Sequence, residues 1–588
     1  MKEQKHVAWY SRINKKKTGA LLLTICMFGS IVGCNAGSNE SFMKRNETSS
    51  YAGAGDSQTS ISDYETGNAV GGASDKTTGD FETETVVSGS TSDKTTEDFE
   101  IETPVLDEDK KPEGEWEDYI GDIDESIYMP DSLNNDPYRT NGGYAYYYHY
   151  QHGEKVMPIA AWSPPPPDTT TTLGTFSTNQ ITLDNYRRMA DCGINTAYGL
   201  YARGGPESST KKSYINDALT YADKTGIVYY VKDASAVGTL TTYGADRMET
   251  YYGWYMNRKA YGGTLVKDEP GTGDYYDKTD GAGQPVKPFA EFAEANTIWK
   301  ESKYGKTKNM HVNNLPCYAS AAQLYYDAGS TADSAPVNYS GQNWGNFVKE
   351  YVENVKPMAY SYDFYPFRGG TATFGNYYYS LSAARSQAAA GNIPYWVFCQ
   401  VGYFNSPGSE LTYAQTAIQV STALAYGAKG IQWFNYWQPL EFAESCISAC
   451  VDHYGLKTKY YPWVQSINHH VAAVDEVLMQ CKNVGVIQIG NSYDAIPNGD
   501  KLSSYAKVTS TSGSSGDALI GCFEYRDTGK SVYYVASNNY DAGATVNLAF
   551  NGTYNVQTVA GTETTDYTNR NSIEITVPAG EGVLVVVG

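Results

Sequence analysis

Thr264-Leu265-Val266 runs into Lys267-Asp268-Glu269-Pro270, an apolar stretch that ends on two adjacent carboxylates. Pro270 denies the preceding residue a comfortable helical conformation, so the stretch reads as a strand that stops at the acidic pair. Successive side chains of an extended chain point opposite ways, which gives Asp268 and Glu269 different tasks: one faces inward, and the other braces it or meets a ligand from the side. A third carboxylate, Asp363, lies in Ser361-Tyr362-Asp363-Phe364-Tyr365-Pro366. Carboxylates gathered at strand ends suit general acid–base work on a bond to oxygen. The plainer alternative is a surface turn at Asp-Glu-Pro and a turn cap at Asp363, since Asp and Pro favour both.

These residues need a scaffold that brings distant strand ends together, and the chain supplies a pattern for one. Short apolar runs at 159–162, 196–200, 227–231, 264–266, 309–315, 357–362, 395–400 and 430–435 alternate with helix-like segments such as 182–192, 214–225, 287–304, 344–355, 378–390 and 412–426. Eight such steps predict an α/β fold, a (β/α)8 TIM barrel, whose chemistry sits at the C-terminal ends of its strands. Those ends deliver Trp162, Asp233, Asp268 and Glu269, Asn313, Asp363 and Tyr365, Gln400, and then Trp433 and Tyr436. Glu269, Asp268 and Asp363 are the catalytic candidates; Trp162, Asp233, Asn313, Tyr365, Gln400, Trp433 and Tyr436 are the substrate-binding ones. Carboxylates, amides and aromatics form the inventory for a polar, uncharged, ring-shaped ligand. With no Cys/His cluster and no glycine-rich phosphate loop, neither a metal nor another cofactor is expected.

The composition points the same way. The chain has 588 residues, with 66 Asp and Glu against 44 Lys and Arg and a formal net charge of -22, which argues against nucleic acid or an anionic lipid surface as ligand. Its 53 Tyr provide flat faces with hydroxyls that suit stacking on sugars, and equally suit a Tyr-rich core. Residues 1–33 read as a signal peptide, with a basic start at Arg12 and Lys15 to Lys17 and an apolar run too short to span a membrane. That run ends in Ile31-Val32-Gly33-Cys34, and residues 34–127 read as a disordered acidic tether. In the tether Ser74-Asp75-Lys76-Thr77-Thr78-Gly79-Asp80-Phe81-Glu82 recurs at 92–100 with one change, Glu97 for Gly79. Residues 128–480 are assigned to the barrel. Residues 481–588 alternate apolar and polar between glycine and Asn/Asp turns, which predicts an all-β sandwich. The cysteines outside the signal region are scattered without paired spacing, so no disulfide framework is read from them, and most are expected to be buried small hydrophobes.

Three family resemblances follow from these motifs. Ile31-Val32-Gly33-Cys34 resembles the bacterial lipoprotein signal, which implies lipidation of Cys34, a membrane anchor and an outward-facing place in the cell envelope. Asp268-Glu269-Pro270, Tyr362-Asp363-Phe364-Tyr365-Pro366 and Leu424-Ala425-Tyr426-Gly427-Ala428-Lys429-Gly430-Ile431 look like bacterial TIM-barrel glycoside hydrolases over about residues 130 to 480. In the large retaining clan the acid/base Glu ends strand four, often before Pro, which implies that role for Glu269. The nucleophile of that clan ends strand seven, where this chain reads Cys399-Gln400-Val401 and offers no carboxylate. The adjacent acidic pair also resembles substrate-assisted β-N-acetylhexosaminidases, in which Glu269 would be the acid and Asp268 would orient the 2-acetamido group. Inversion is a further alternative, with Asp363 as base across a gap of roughly 6.5–9.5 Å. The expected function is hydrolysis of glycosidic bonds in a polysaccharide or glycan, and the competing class is a non-catalytic glycan-binding lipoprotein on the same fold.

Overall fold

The structure is a computed structural model describing residues 156–588 apart from 168, 172–173, 177–178, 201–208, 271–288, 306–307, 319–323, 326–336, 339–343, 369–372, 405–409, 439–445, 491–495 and 526–528. The signal peptide, Cys34 and the acidic tether lie outside the described residues.

Strands β1 (Ile159–Trp162), β2 (Thr196–Gly199), β3 (Val228–Lys232), β4 (Tyr261–Asp268), β5 (Asn309–Asn314), β6 (Tyr360–Asp363), β7 (Tyr395–Gln400) and β8 (Gly430–Phe434) close into a parallel barrel in chain order. β8 returns to β1 with Ile159 opposite Ile431, so the sheet has no edge. Strand β4 is longer than Thr264–Val266 suggests because Gly262 and Gly263 belong to it. A Cβ on Gly263 would come within 2.1 Å of the Asn309 carbonyl oxygen, so glycine here answers a close approach of β5 rather than a turn.

Between the strands run α1 (Leu183–Asp191), α2 (Ser209–Thr225), α3 (Ala236–Tyr243), α4 (Ala245–Met256), α5 (Ala290–Glu301), α6 (Trp344–Val355), α7 (Phe374–Ala390) and α8 (Tyr413–Ala425), with α9 (Tyr460–Leu478) after β8. Their starts are chemically marked: Thr182 accepts from Asn185 N, and Thr412 with Gln415 forms a reciprocal capping box on α8. Alternate strand residues face opposite ways. Ala160, Trp162, Tyr198, Tyr230, Leu265, Trp396, Phe398 and Phe434 form one apolar cluster within the barrel. Ile159, Ala197, Tyr229, Val231, Met310, Val312, Tyr362, Val397, Ile431 and Trp433 join the helices in another. At roughly 1.5–3 kcal/mol for each large side chain fully buried, these two layers hold the strand ends in place.

After α9 come β9 (Cys481–Ile489), β10 (Val508–Ser515), β11 (Ala518–Tyr525), β12 (Ser531–Ser537), β13 (Ala544–Ala560), β14 (Glu563–Val577) and β15 (Gly582–Val587), all antiparallel neighbours. The first part of β13 pairs with β10 and its last part with β15, so this strand passes through both layers of the sandwich. Ile520, Val535, Val546, Ile575 and Val585 fill the space between the layers. Their neighbours Leu519, Phe523, Val532, Tyr534 and Leu584 face the other way and extend the barrel's helical core. Gly521 makes that approach possible, since a Cβ there would lie 2.2 Å from Ala425 O at the end of α8.

Candidate active site

The site starts from a break in strand alternation. Glu269 follows the end of β4 with φ 44°, a left-handed conformation uncommon for a residue with a Cβ, and its N–H donates to Asn313 O at 2.8 Å. Alternation along an extended chain would send Asp268 and Glu269 to opposite sides. Instead both reach Asp363 at the end of β6, whose carboxyl hydrogen-bonds Glu269 and feels the charge of Asp268.

Asn313 of β5 stands between the carboxylates. Its Nδ2 donates to Asp268 Oδ1 at 3.2 Å and to Asp363 Oδ1 at 2.9 Å. The two N–H bonds of a planar amide diverge by roughly 120°, which sets the accepting oxygens about 5 Å apart. The amide is oriented from beneath. Asn313 Oδ1 accepts from Ser361 Oγ at 3.0 Å, Ser361 Oγ accepts from Gln432 Nε2 at 2.9 Å, and Gln432 Oε1 accepts from the Tyr198 hydroxyl. Tyr198 also meets His311 Nε2 at 3.1 Å, and Asn309 Nδ2 meets His311 Nδ1 at 3.2 Å. Burial pushes the His311 imidazole down to about 3, so the ring is neutral. With the Tyr198 proton given to Gln432, a neutral His311 donates through Nε2 and accepts through Nδ1. Every donor in the chain then points one way, and Asn313 must present its NH2 to the carboxylates.

The charges divide accordingly. Burial, then the neighbouring carboxyls of Glu269 and Asp268, raise Asp363 well above the usual carboxylate range. Two carboxyl groups in contact resist both being ionised, which favours a proton held between them. Asp268 is also raised by burial, but Lys232, the Asn313 hydrogen bond and Lys267 pull it back toward the ionised form. Around the acids stands an aromatic wall. Tyr365 lies 5.2 Å from Phe404 and 5.4 Å from Phe434 between ring centroids, and Trp162 meets Phe398 at 5.6 Å. Gln400, at the end of β7, is buried, donates through Nε2 to Gly402 O at 3.1 Å and leaves Oε1 without a hydrogen bond.

Glu269, Asp268, Asp363 and Asn313 are thus brought together, with Trp162, Tyr365 and Gln400 on the same inner face of the barrel. Three other expected contacts are corrected. Asp233 is fully buried and spent on the turn into α3, accepting from Ser235 N at 3.0 Å, Ser235 Oγ at 2.6 Å and Tyr255 OH at 3.3 Å. Trp433 points outward and donates from Nε1 to Asn468 Oδ1 of α9 at 2.7 Å. Tyr436 is enclosed in that same outer core. The residues missed are Tyr198, His311, Ser361 and Gln432, one layer below the strand ends. A polar residue two positions before a candidate, as His311 is before Asn313 and Ser361 before Asp363, was the available signal. Among the described residues no three His, Cys, Asp or Glu side chains are grouped as metal ligands would be.

No family model matches the chain, and no curated protein is similar to it in sequence. Among solved structures it is similar to a family 39 glycoside hydrolase from the gut symbiont Bacteroides cellulosilyticus, at 10% identity over 74% of this chain and 82% of the other with a TM-score of 0.40. It is also similar to a β-galactosidase from Bacillus circulans, at 8% identity over 74% and 99% of the two chains with a TM-score of 0.44. A third is an α-galactosidase from Mortierella vinacea, at 10% identity over 74% and 97% with a TM-score of 0.37. At these identities and TM-scores no residue role passes from one chain to another; the (β/α)8 barrel followed by a β-sandwich is read from this chain's own strand pairing.

Proposed function

We propose that this chain hydrolyses glycosidic bonds of a polysaccharide or glycan, with Glu269 as the general acid. The observation that carries the reading is the carboxyl contact between Glu269 and Asp363, which favours a proton on the pair beside a third carboxyl, Asp268, that two lysines favour as the anion. Asp363 is 3% exposed while Glu269 keeps partial exposure, so Glu269 is the member that delivers the proton to the leaving oxygen. Asp268 faces the positive charge that develops at the anomeric carbon. The contact between Glu269 and Asp363 leaves no room for the water that an inverting pair holds across roughly 6.5–9.5 Å, which leaves Asp268 as the second group of a retaining pair. Asp268 therefore forms the glycosyl ester as the leaving alcohol departs with the proton, and Glu269 takes a proton from the water that later cleaves the ester. On a 2-acetamido sugar the acetamido oxygen takes the place of Asp268 as nucleophile, and Asp268 orients it. The signal-like start and acidic tether support the same reading with the enzyme lipid-anchored at Cys34 and facing outward.

The test is turnover of aryl glycosides and natural glycans by the wild type and Glu269→Gln, followed by NMR of the first-formed anomer. Glu269→Gln is expected to lose about 10²–10⁴-fold in kcat on substrates with poor leaving groups and less on activated ones. Wild-type rates in the variant would remove Glu269 from the chemistry. Binding without turnover across the panel would make the protein a glycan-binding one.

A further inference from the structure

We infer that Tyr198, one layer below the strand ends, is a positioning residue whose hydroxyl proton fixes which end of the Asn313 amide faces Asp268 and Asp363. Its effect on rate rests on the proposed function; its effect on the carboxyl groups does not. Tyr198 of β2, Gln432 of β8, Ser361 of β6 and Asn313 of β5 are each at most 3% exposed, so none of them can turn to bulk water for a missing partner.

Each link of the path uses one proton. The Tyr198 hydroxyl donates to Gln432 Oε1, Gln432 Nε2 to Ser361 Oγ at 2.9 Å, Ser361 Oγ to Asn313 Oδ1 at 3.0 Å, and Asn313 Nδ2 to both carboxyl groups. The same groups can run the other way. At the far end Asn309 Nδ2 meets His311 Nδ1 at 3.2 Å while Asn309 Oδ1 is buried without a hydrogen bond, so rotating that amide gives Nδ1–H an acceptor and leaves Nε2, 3.1 Å from the Tyr198 oxygen, to accept the tyrosine proton. In the middle, Gln432 Oε1 lies 3.4 Å from Ser361 Oγ, an alternative acceptor for the serine proton. With Tyr198 donating toward Gln432 the direction is fixed, and Asn313 turns its NH2 to the mouth.

Tyr198→Phe keeps a ring that packs 5.1 Å from His311 and 5.7 Å from Trp162 between centroids, and removes the proton. Gln432 Oε1 is then a buried acceptor with no donor, a costly state that is relieved when its amide rotates and takes the Ser361 proton. Asn313 Oδ1 loses its donor in turn. An amide oxygen turned toward Asp268 and Asp363 is tolerated only where a carboxyl is protonated, so the variant holds its carboxyl protons to higher pH. The other titratable groups around the two, Lys232 of β3, Lys267 and Glu269 of β4, His311 of β5 and Tyr318 in the loop that follows it, are the same in both chains.

The full chain is compared with Tyr198→Phe in urea titrations at pH 4 and pH 8, and in the pH profile of turnover. A carboxyl raised further in the folded variant costs stability only as pH rises, so the deficit in urea midpoint is expected to be larger at pH 8 than at pH 4. In turnover, kcat should fall about tenfold with KM kept, and the acid limb should move up. The control is Tyr362→Phe, next to Ser361 but in the outer core with a hydroxyl that makes no hydrogen bond, and it should show neither effect. Ser361→Ala cuts the same path one step nearer the mouth; it should repeat both signs, and it carries the test if Tyr198→Phe does not fold. A deficit equal at the two pH values, or an unmoved acid limb, overturns the inference. If the wild type turns over no glycan the proposed function fails, while a widening urea deficit still supports this inference and a constant one still overturns it.

Discussion

Asp268 and Asp363 are both raised by burial, but their neighbours differ in sign, and that difference is measurable in the pH profile. Asp363 is raised well above the carboxylate range by burial and by Glu269, so the proton it favours is lost as pH rises through the raised value. Under the proposed function the alkaline limb of kcat reports that loss. Asp363→Asn removes that raised carboxyl, so the alkaline limb should move. Asp268 must be ionised to act, and Lys232 favours the ion. Lys232→Met should therefore move the acid limb up. An acid limb unmoved in Lys232→Met would separate Asp268 from the rate. Asn313→Ala, which takes away the amide both carboxylates share and the acceptor of Ser361 Oγ, should cost rate while the backbone of the barrel is kept, since only side-chain atoms lose partners.

Elements are locked together by polar residues that no local pattern announces. Asp475 of α9 accepts from Met157 N at 3.1 Å just ahead of β1, and burial pushes its carboxyl up to about 8. The unfolded chain ionises at about 4, so between pH 4 and 8 the unfolded state holds fewer protons and stability falls as pH rises. Asp475→Asn keeps an acceptor for Met157 and carries no titratable proton. It should match wild type below about pH 4 and exceed it by roughly 1–3 kcal/mol at pH 8 in urea titrations; lower stability at every pH would show that the carboxyl does more than accept. On the neighbouring helices, Arg385 of α7 donates from Nη1 to Asn483 Oδ1 at 2.9 Å and pairs with Asp500, while Ser421 Oγ of α8 donates to Gly580 O at 2.7 Å. His470 of α9 meets Tyr534 OH and Gly561 O, each at 2.8 Å. These bonds, with the apolar faces of β11 and β12, make the sandwich a brace for α7, α8 and α9.

For the molecule as a whole that bracing predicts interdependence. A chain ended at Gln480 would leave the α8 and α9 faces that pack on Leu519, Phe523, Val532 and Tyr534 in water, and it should accumulate as aggregate that binds apolar dyes. A soluble truncated barrel with the melting temperature of the full chain would show that the two units stand alone. The sequence by itself determined the eight-strand order and much of each strand's extent, because alternating apolar runs and turn residues are local signals that survive any packing. It also placed Asp268, Glu269, Asp363 and Asn313 at strand ends on one side of a barrel. What it could not supply was phase: barrel strands are buried on both faces, so Trp433 and Gln432 look equally able to face inward, and packing sent Trp433 out to Asn468 and Gln432 in to Ser361. The long, polar β10 and the outer half of the β13–β14 hairpin escaped notice because both their faces are largely exposed. The left-handed turn at Glu269 and the Asn313 bridge were decided by the tertiary structure alone, since each depends on which groups the closed barrel brings within bonding distance, a relation through space that spacing along the chain does not encode.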